Sequence, residues 1–163
     1  MKRIVVISDT HIPERADDLP EKIIPQLQKA DMVIHAGDLV SVKVLEKLKK
    51  YCPDVRAVYG NMDPLEVRKI LSEKEVITVG KHRIGIMHGI GAPVNLVEVM
   101  QKAFKDDKCD VIIFGHSHSP LNEKKGEILF FNPGSLTDKI FAPYNSYGIL
   151  EINDKIEARI EKL

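Results

Sequence analysis

The sequence predicts an α/β protein in which two β-sheets pack together with helices on the outer faces. Three observations predict it. Short apolar runs alternate with helical stretches through the first two-thirds of the chain, hairpin signals fill the last third, and five of the apolar runs end in Asp, Asn or His, usually beside a glycine. Apolar strands separated by helices argue for parallel strands covered on both faces. Hairpins add antiparallel strands, and the two kinds together suggest two packed sheets. With 163 residues and no repeat, low-complexity tract or long linker, the simplest organisation is one domain over residues 1–163.

In chain order, Ile4–Ser8 is the first strand candidate. Glu21–Gln28 reads as a helix and Met32–His35 as a strand. Val42–Lys50 is a helix with Val42, Leu45 and Leu48 on one face and Ser41 as its N-cap. Val55–Tyr59 is the third apolar run, and a short helix over Leu65–Leu71 follows. Glu75–Val79 and Arg83–His88 flank Gly80-Lys81-His82, a hairpin signal. Asn95–Phe104 is a helix carrying Leu96, Val97, Met100 and Phe104, and Asp110–Phe114 is another buried strand. Two hairpins close the chain. Pro120–Lys124 and Glu127–Phe131 flank Lys125-Gly126, while Ser146–Ile152 and Lys155–Ile160 flank Asn153-Asp154.

Composition narrows the function. Hydrophobic residues make up 44% of the chain and charged residues 29%, an ordinary globular balance. Lys plus Arg and Asp plus Glu each number 24, so no bulk charge draws the protein to nucleic acid or to an anionic membrane. The first apolar run is too short for a signal-peptide core, and no run approaches a membrane span. Cys52 and Cys109 lie far apart without metal-type spacing, so both are expected to be reduced and structural. These features predict a cytoplasmic protein, and they leave a homo-oligomer as open as a monomer.

The strand ends carry the chemistry. The five runs lead into Ser8-Asp9-Thr10-His11, Gly37-Asp38, Gly60-Asn61-Met62-Asp63, His88-Gly89 and Gly115-His116-Ser117-His118. In open α/β sheets the carboxyl ends of strands form the ligand crevice. Asp9 and His11 are two apart, as are His116 and His118, so in extended backbone each pair can aim at one site. Imidazole nitrogens and oxygens without a thiolate suit Mn, Fe, Co, Ni or Zn better than Ca, and the set is too large for one ion. A lone Asp at a strand end is usually a cap or turn residue, so the company of the other donors is what singles out Asp9 and Asp38. His35 reads as a satisfied core group beside the site and His82 as a turn residue. Asn132-Pro133-Gly134-Ser135 is a turn signal.

In order, these five blocks resemble the signature blocks of the calcineurin-like metallophosphoesterases. The compact length resembles their small bacterial and archaeal phosphodiesterase branch. The resemblance implies a four-layer αββα sandwich of two mixed sheets flanked by helices. It implies two divalent cations (Mn, Ni, Fe, Co or Zn), one on Asp9, His11 and His118, the other on Asn61, His88 and His116, with Asp38 bridging. The expected activity is hydrolysis of a small phosphate ester, a diester by preference, through in-line attack of a metal-bridging hydroxide. Asp38, Asn61 and Asp63 are the expected catalytic positions.

One position departs from the pattern. Many members carry His after the Asn of the third block, where this chain has Met62, so the usual imidazole acid is missing. Three rival functions fit the same residues less well. A retromer subunit of this fold acts as an interaction scaffold, a reading that predicts eroded ligands, yet all seven positions are intact. A nuclease would usually bring a basic surface. A phosphatase with Asp9 as covalent nucleophile usually wants Asp two residues on, where the chain has His11.

Overall fold

A computed structural model describes residues 1–163. Strand β1 (Lys2–Ile7) leads through a 3-10 turn, Glu21–Ile23, into helix α1 (Ile24–Gln28). The expected helix Glu21–Gln28 is split there, because Pro25 lacks an N–H and is tolerated only in a helix's first turn. Strand β2 (Met32–His35), helix α2 (Val42–Tyr51) and strand β3 (Val55–Ala57) follow. The N-cap of α2 is Ser41, whose Oγ accepts from Lys43 N at 3.2 Å. Its buried stripe is Val44, Leu45 and Leu48, with Val42 only half-buried, one step along from the expected face.

Helix α3 (Leu65–Ile70) precedes the hairpin of β4 (Lys74–Val79) and β5 (His82–Met87), which turns on Gly80-Lys81. Helix α4 (Leu96–Ala103) and strand β6 (Val111–Ile113) come next, then β7 (Leu121–Lys125), β8 (Ile128–Asn132), β9 (Ser146–Ile152) and β10 (Ile156–Lys162). No helix is long and apolar enough to cross a membrane. Cys52 and Cys109 are separate buried thiols.

The strands form two five-stranded mixed sheets, ordered β10-β9-β1-β2-β3 and β4-β5-β6-β8-β7. The first joins three parallel strands to the antiparallel pair β9 and β10. In the second, β5, β6 and β8 run parallel between antiparallel edges. The last third was expected to be antiparallel. Instead β8 pairs antiparallel with β7 on one side and parallel with β6 on the other, a long-range pairing that a hairpin signal cannot report.

Period-2 alternation sorts the side chains into layers. Val5 and Ile7 face α1 and α2 with Leu27, Leu45 and Leu48, while Ile4 and Val6 face the second sheet with Ile84, Ile113 and Phe131. Ile112 and Phe130 turn outward onto Met100 and Phe104 at α4. The result is helix, sheet, sheet, helix. At the sheet-sheet interface the Phe131 ring occupies the space a side chain on Gly148 would need. Deleting one such filled aromatic typically costs about 3–5 kcal/mol.

Candidate metal centre

Five loops meet at one end of the sandwich. Those after β1 and β2 carry Asp9, His11 and Asp38; those near β3, β5 and β6 carry Asn61, His88, His116 and His118. The structure brings five of these seven side chains into one buried cluster. Asp9, His11 and His118 put one donor atom each within 4.8 Å of one another, as do Asp9, Asp38 and His88. His118 Nε2 lies 3.2 Å from Asp9 Oδ1 and His88 Nε2 lies 3.1 Å from Asp38 Oδ2. His11 Nε2 is 3.5 Å from Asp38 Oδ2, so that oxygen stands between two imidazoles.

The remaining two donors sit at the open edge. Asn61 is exposed and His116 half-buried. They face each other, with His116 Nδ1 3.2 Å from Asn61 Oδ1, while His116 Nε2 contacts the Gly91 carbonyl at 2.8 Å. Beside them a cavity of about 180 Å³ is lined by Asn61, His88, Tyr59, Arg68, Glu73 and Ile90 among others. A larger groove, about 560 Å³, runs past β3 and is lined by none of these seven residues.

Holding the cluster costs backbone strain. Asp9 (φ 52°), His11 (41°), Asp38 (57°), His116 (70°) and His118 (59°) all adopt the left-handed region. Non-glycine residues there cost on the order of 1–3 kcal/mol each and collect at functional sites. Close approach is a second requirement. A side chain on Gly60 would run into the Asp38 carboxylate, and one on Gly115 into Ser8 Oγ and Asp9 Oδ2.

What holds the strain is a ring of buried hydrogen bonds. Asp63, expected among the catalytic residues, is buried, and both its oxygens take part in this ring. Its oxygens accept from Asp38 N (2.9 Å), Gly60 N (2.7 Å) and Val40 N (2.6 Å), which leaves it fastening two ligand loops from behind. Ser135 Oγ donates to Asp9 O at 2.8 Å and Thr137 Oγ1 to Thr10 O at 2.6 Å. Asn132 Nδ2 donates to Gly115 O at 2.9 Å, so the 132–135 turn serves as a brace. His35 lies buried beneath the site. Gly37 N donates to its Nδ1 at 3.2 Å, so Nε2 carries the proton toward Thr10 Oγ1 at 3.0 Å. Burial depresses the His35 pKa to about 3, so this ring stays neutral.

Asp138 is the residue that sequence reasoning missed. Its Oδ2 lies 2.5 Å from His118 Nδ1. The only signal was a buried-type Asp shortly after the Gly134-Ser135 turn, and that turn did not reveal where the loop returns.

Charges in the cluster support one another. Burial favours neutral forms, but His88, His11 and His118 outweigh it at Asp9 and hold that carboxyl well below its ordinary range. Burial would likewise lower His88, yet Asp9 and Asp38 raise it to about 9. Asp9 and Asp138 do the same for His118, also to about 9. Even so, Asp9 Oδ1, His11 Nε2 and His88 Nε2 are buried with no hydrogen-bond partner. Buried, convergent, unpartnered donors of this type fit a divalent cation.

Fold and site together define the class: the chain belongs to the calcineurin-like phosphoesterase superfamily, whose domain model matches residues 1–155. Its relatives sharpen this. A "Probable metallophosphoesterase" of Methanocaldococcus jannaschii is 36% identical over 158 residues, 96% of this chain and 79% of that protein. The solved structure of an archaeal phosphodiesterase superposes with a TM-score of 0.77 at 26% identity, over 99% of both chains. Vps29 of Entamoeba histolytica complexed with zinc does so with a TM-score of 0.76 at 26% identity, over 98% of both.

Proposed function

We propose that the chain is a metal-dependent phosphoric ester hydrolase, by preference a phosphodiesterase, acting on small phosphate esters with two divalent cations. The observation that carries this reading is the set of three buried donors without partners, on Asp9, His11 and His88. Leaving each one unpaired costs roughly 1–3 kcal/mol, which ligation would remove. Asp9, His11 and His118 would hold one cation, and Asn61, His88 and His116 the other. Asp38 Oδ2, already between His11 and His88, would serve both. Bound there, the cations would acidify a water and offset the charge of the phosphate.

The chain's own residues do the rest. His88 Nδ1 contacts the Ala36 carbonyl at 2.7 Å, which turns Nε2 into the site. Asn61 and His116, at the open edge, are the donors a substrate meets first. Nitrogen and oxygen donors without thiolate favour Mn, Ni, Fe, Co or Zn over Ca. Two buried free thiols fit a reducing cytoplasm. The archaeal phosphodiesterase and the zinc-bound Vps29 support both halves of the reading.

The test is hydrolysis of bis-p-nitrophenyl phosphate across these five metals, with elemental analysis of the protein. About two retained cations and turnover are expected. No turnover with any metal and no retained cation would overturn the reading. A second reading, an interaction scaffold, is favoured by apolar side chains exposed near the site, Ile90, Val94, Ile140 and Phe141. Retained cations without turnover on any ester would support it.

A further inference from the structure

We infer that Asp138 is a positioning residue for cation binding: it holds His118 with Nε2 aimed at Asp9 and so sets the affinity of the cation shared by Asp9, His11 and His118. The inference rests on the two-cation reading and goes beyond it.

Asp138 is 1% exposed and cannot swing away from His118. Its Oδ1 accepts from Ile140 N at 3.0 Å, and its Oδ2 from Phe141 N at 3.0 Å and Ala142 N at 3.2 Å. Its own N–H donates to Ser135 Oγ at 3.0 Å, the hydroxyl that also donates to the Asp9 carbonyl. Asn145 Nδ2 donates to the Asp138 carbonyl at 2.7 Å. A carboxylate so placed can only accept, so the neutral ring that a cation would bind keeps its proton on His118 Nδ1 and its lone pair on Nε2. That nitrogen is the one 3.2 Å from Asp9 Oδ1.

The other imidazoles lack this support. His88 Nδ1 faces a neutral carbonyl, that of Ala36, and His116 faces the neutral groups of Asn61 and Gly91. A carboxylate behind a ligating imidazole fixes its tautomer and raises its basicity, and losing such a partner typically weakens metal binding by roughly 10–100-fold. The effect should therefore fall on one cation of the two.

Calorimetric titration of metal-free protein with zinc tests this on wild type and Asp138→Asn, which keeps the shape and removes the charge. One of two binding events should weaken by roughly 10–100-fold and the other should stay as it was. Equal weakening of both events, or of neither in a variant that circular dichroism shows folded, overturns the inference. If the variant does not fold, imidazole ¹⁵N NMR of zinc-loaded wild type decides. A protonated Nδ1 on His118 supports the inference, and ligation through Nδ1 overturns it. Wild type that binds no cation at all would sink the functional reading itself.

Discussion

The two sides of the candidate site are built differently. On the inner side, Asp9, His11, Asp38, His88 and His118 are buried, and their donor atoms converge. Two of the three rings there are held from behind, by Ala36 and by Asp138. On the outer side Asn61 is exposed, Met62 is 53% exposed, and the Asn61 and His116 donors are spent on each other. The inner donors are ready before any ligand arrives. The outer ones must part first. Preorganisation lowers the cost of binding, so the inner side should take a cation more tightly than the outer side.

Removing Asp38 should do the most damage, because its Oδ2 stands between His11 and His88 and would serve both cations. In Asp38→Ala, hydrolysis of an aryl diester should fall by more than the roughly 100-fold that a partner behind a ligand costs. Cation content measured on the same sample should fall with it. Unchanged activity would remove Asp38 from the site.

Asp63→Ala should break the contrast from behind. It strips acceptors from two buried amides and one part-buried one, at about 1–3 kcal/mol for each buried group. For a chain of this size that amounts to a loss on the order of 10 °C in melting temperature. The melt should be run on metal-free protein. A variant that melts like wild type but turns over slowly would return Asp63 to the reagents.

The inner cluster was legible because each of its residues follows an apolar run. Strand ends collect at one edge of a sandwich, so residues far apart in sequence could be assigned to one site. The braces were not legible. Asp138 lies 20 residues beyond His118 in a loop with no periodicity, and its pairing depends on how that loop returns. Asp63 sat inside a ligand block, and adjacency in sequence suggested a reagent. Only the hydrogen bonds reveal that both its oxygens are taken by backbone amides of the neighbouring loops. The left-handed backbone at Asp9, His11, Asp38, His116 and His118 was equally hidden, since a non-glycine residue gives no local sign of φ. Pairing of β8 with β6 failed for a related reason: local turn chemistry fixes one neighbour of a strand and says nothing of the other.

The inner side should also show itself through pH. His88 and His118 have folded pKa values of about 9 against an ordinary 6.5. A raised histidine stabilises fully below about 6.5 and stops doing so as pH rises through 9. Asp9, Asp38 and Asp138 are lowered from 3.8, so their contribution holds above that value and fades as pH falls through the folded values. His35, depressed to about 3, works the other way and costs stability as pH falls below about 6.5, so metal-free protein should melt highest near pH 6.5 and lose stability toward pH 9 and toward pH 4. Cations compete with those protons, so apparent affinity should climb over the same upper range. A melting temperature flat from pH 6.5 to 9 would contradict the charge coupling.

The smallest effect belongs to the outer side, at Met62. Only its backbone is engaged, with its N–H donating to Asp38 Oδ1 at 2.8 Å, and any side chain keeps that bond. Met62→His should leave stability within about 0.5 kcal/mol. It also places a titratable proton next to Asn61. A well-positioned general acid contributes roughly 10²–10⁴-fold, but with Met62 53% exposed a ring there would be only loosely held, so roughly tenfold is the expected gain. The gain should appear only on alkyl diesters, whose leaving groups need a proton, and not on nitrophenyl diesters, whose leaving groups do not. An equal gain on both would mean that the new ring binds phosphate. No gain on either would mean that the leaving group already receives its proton from another source.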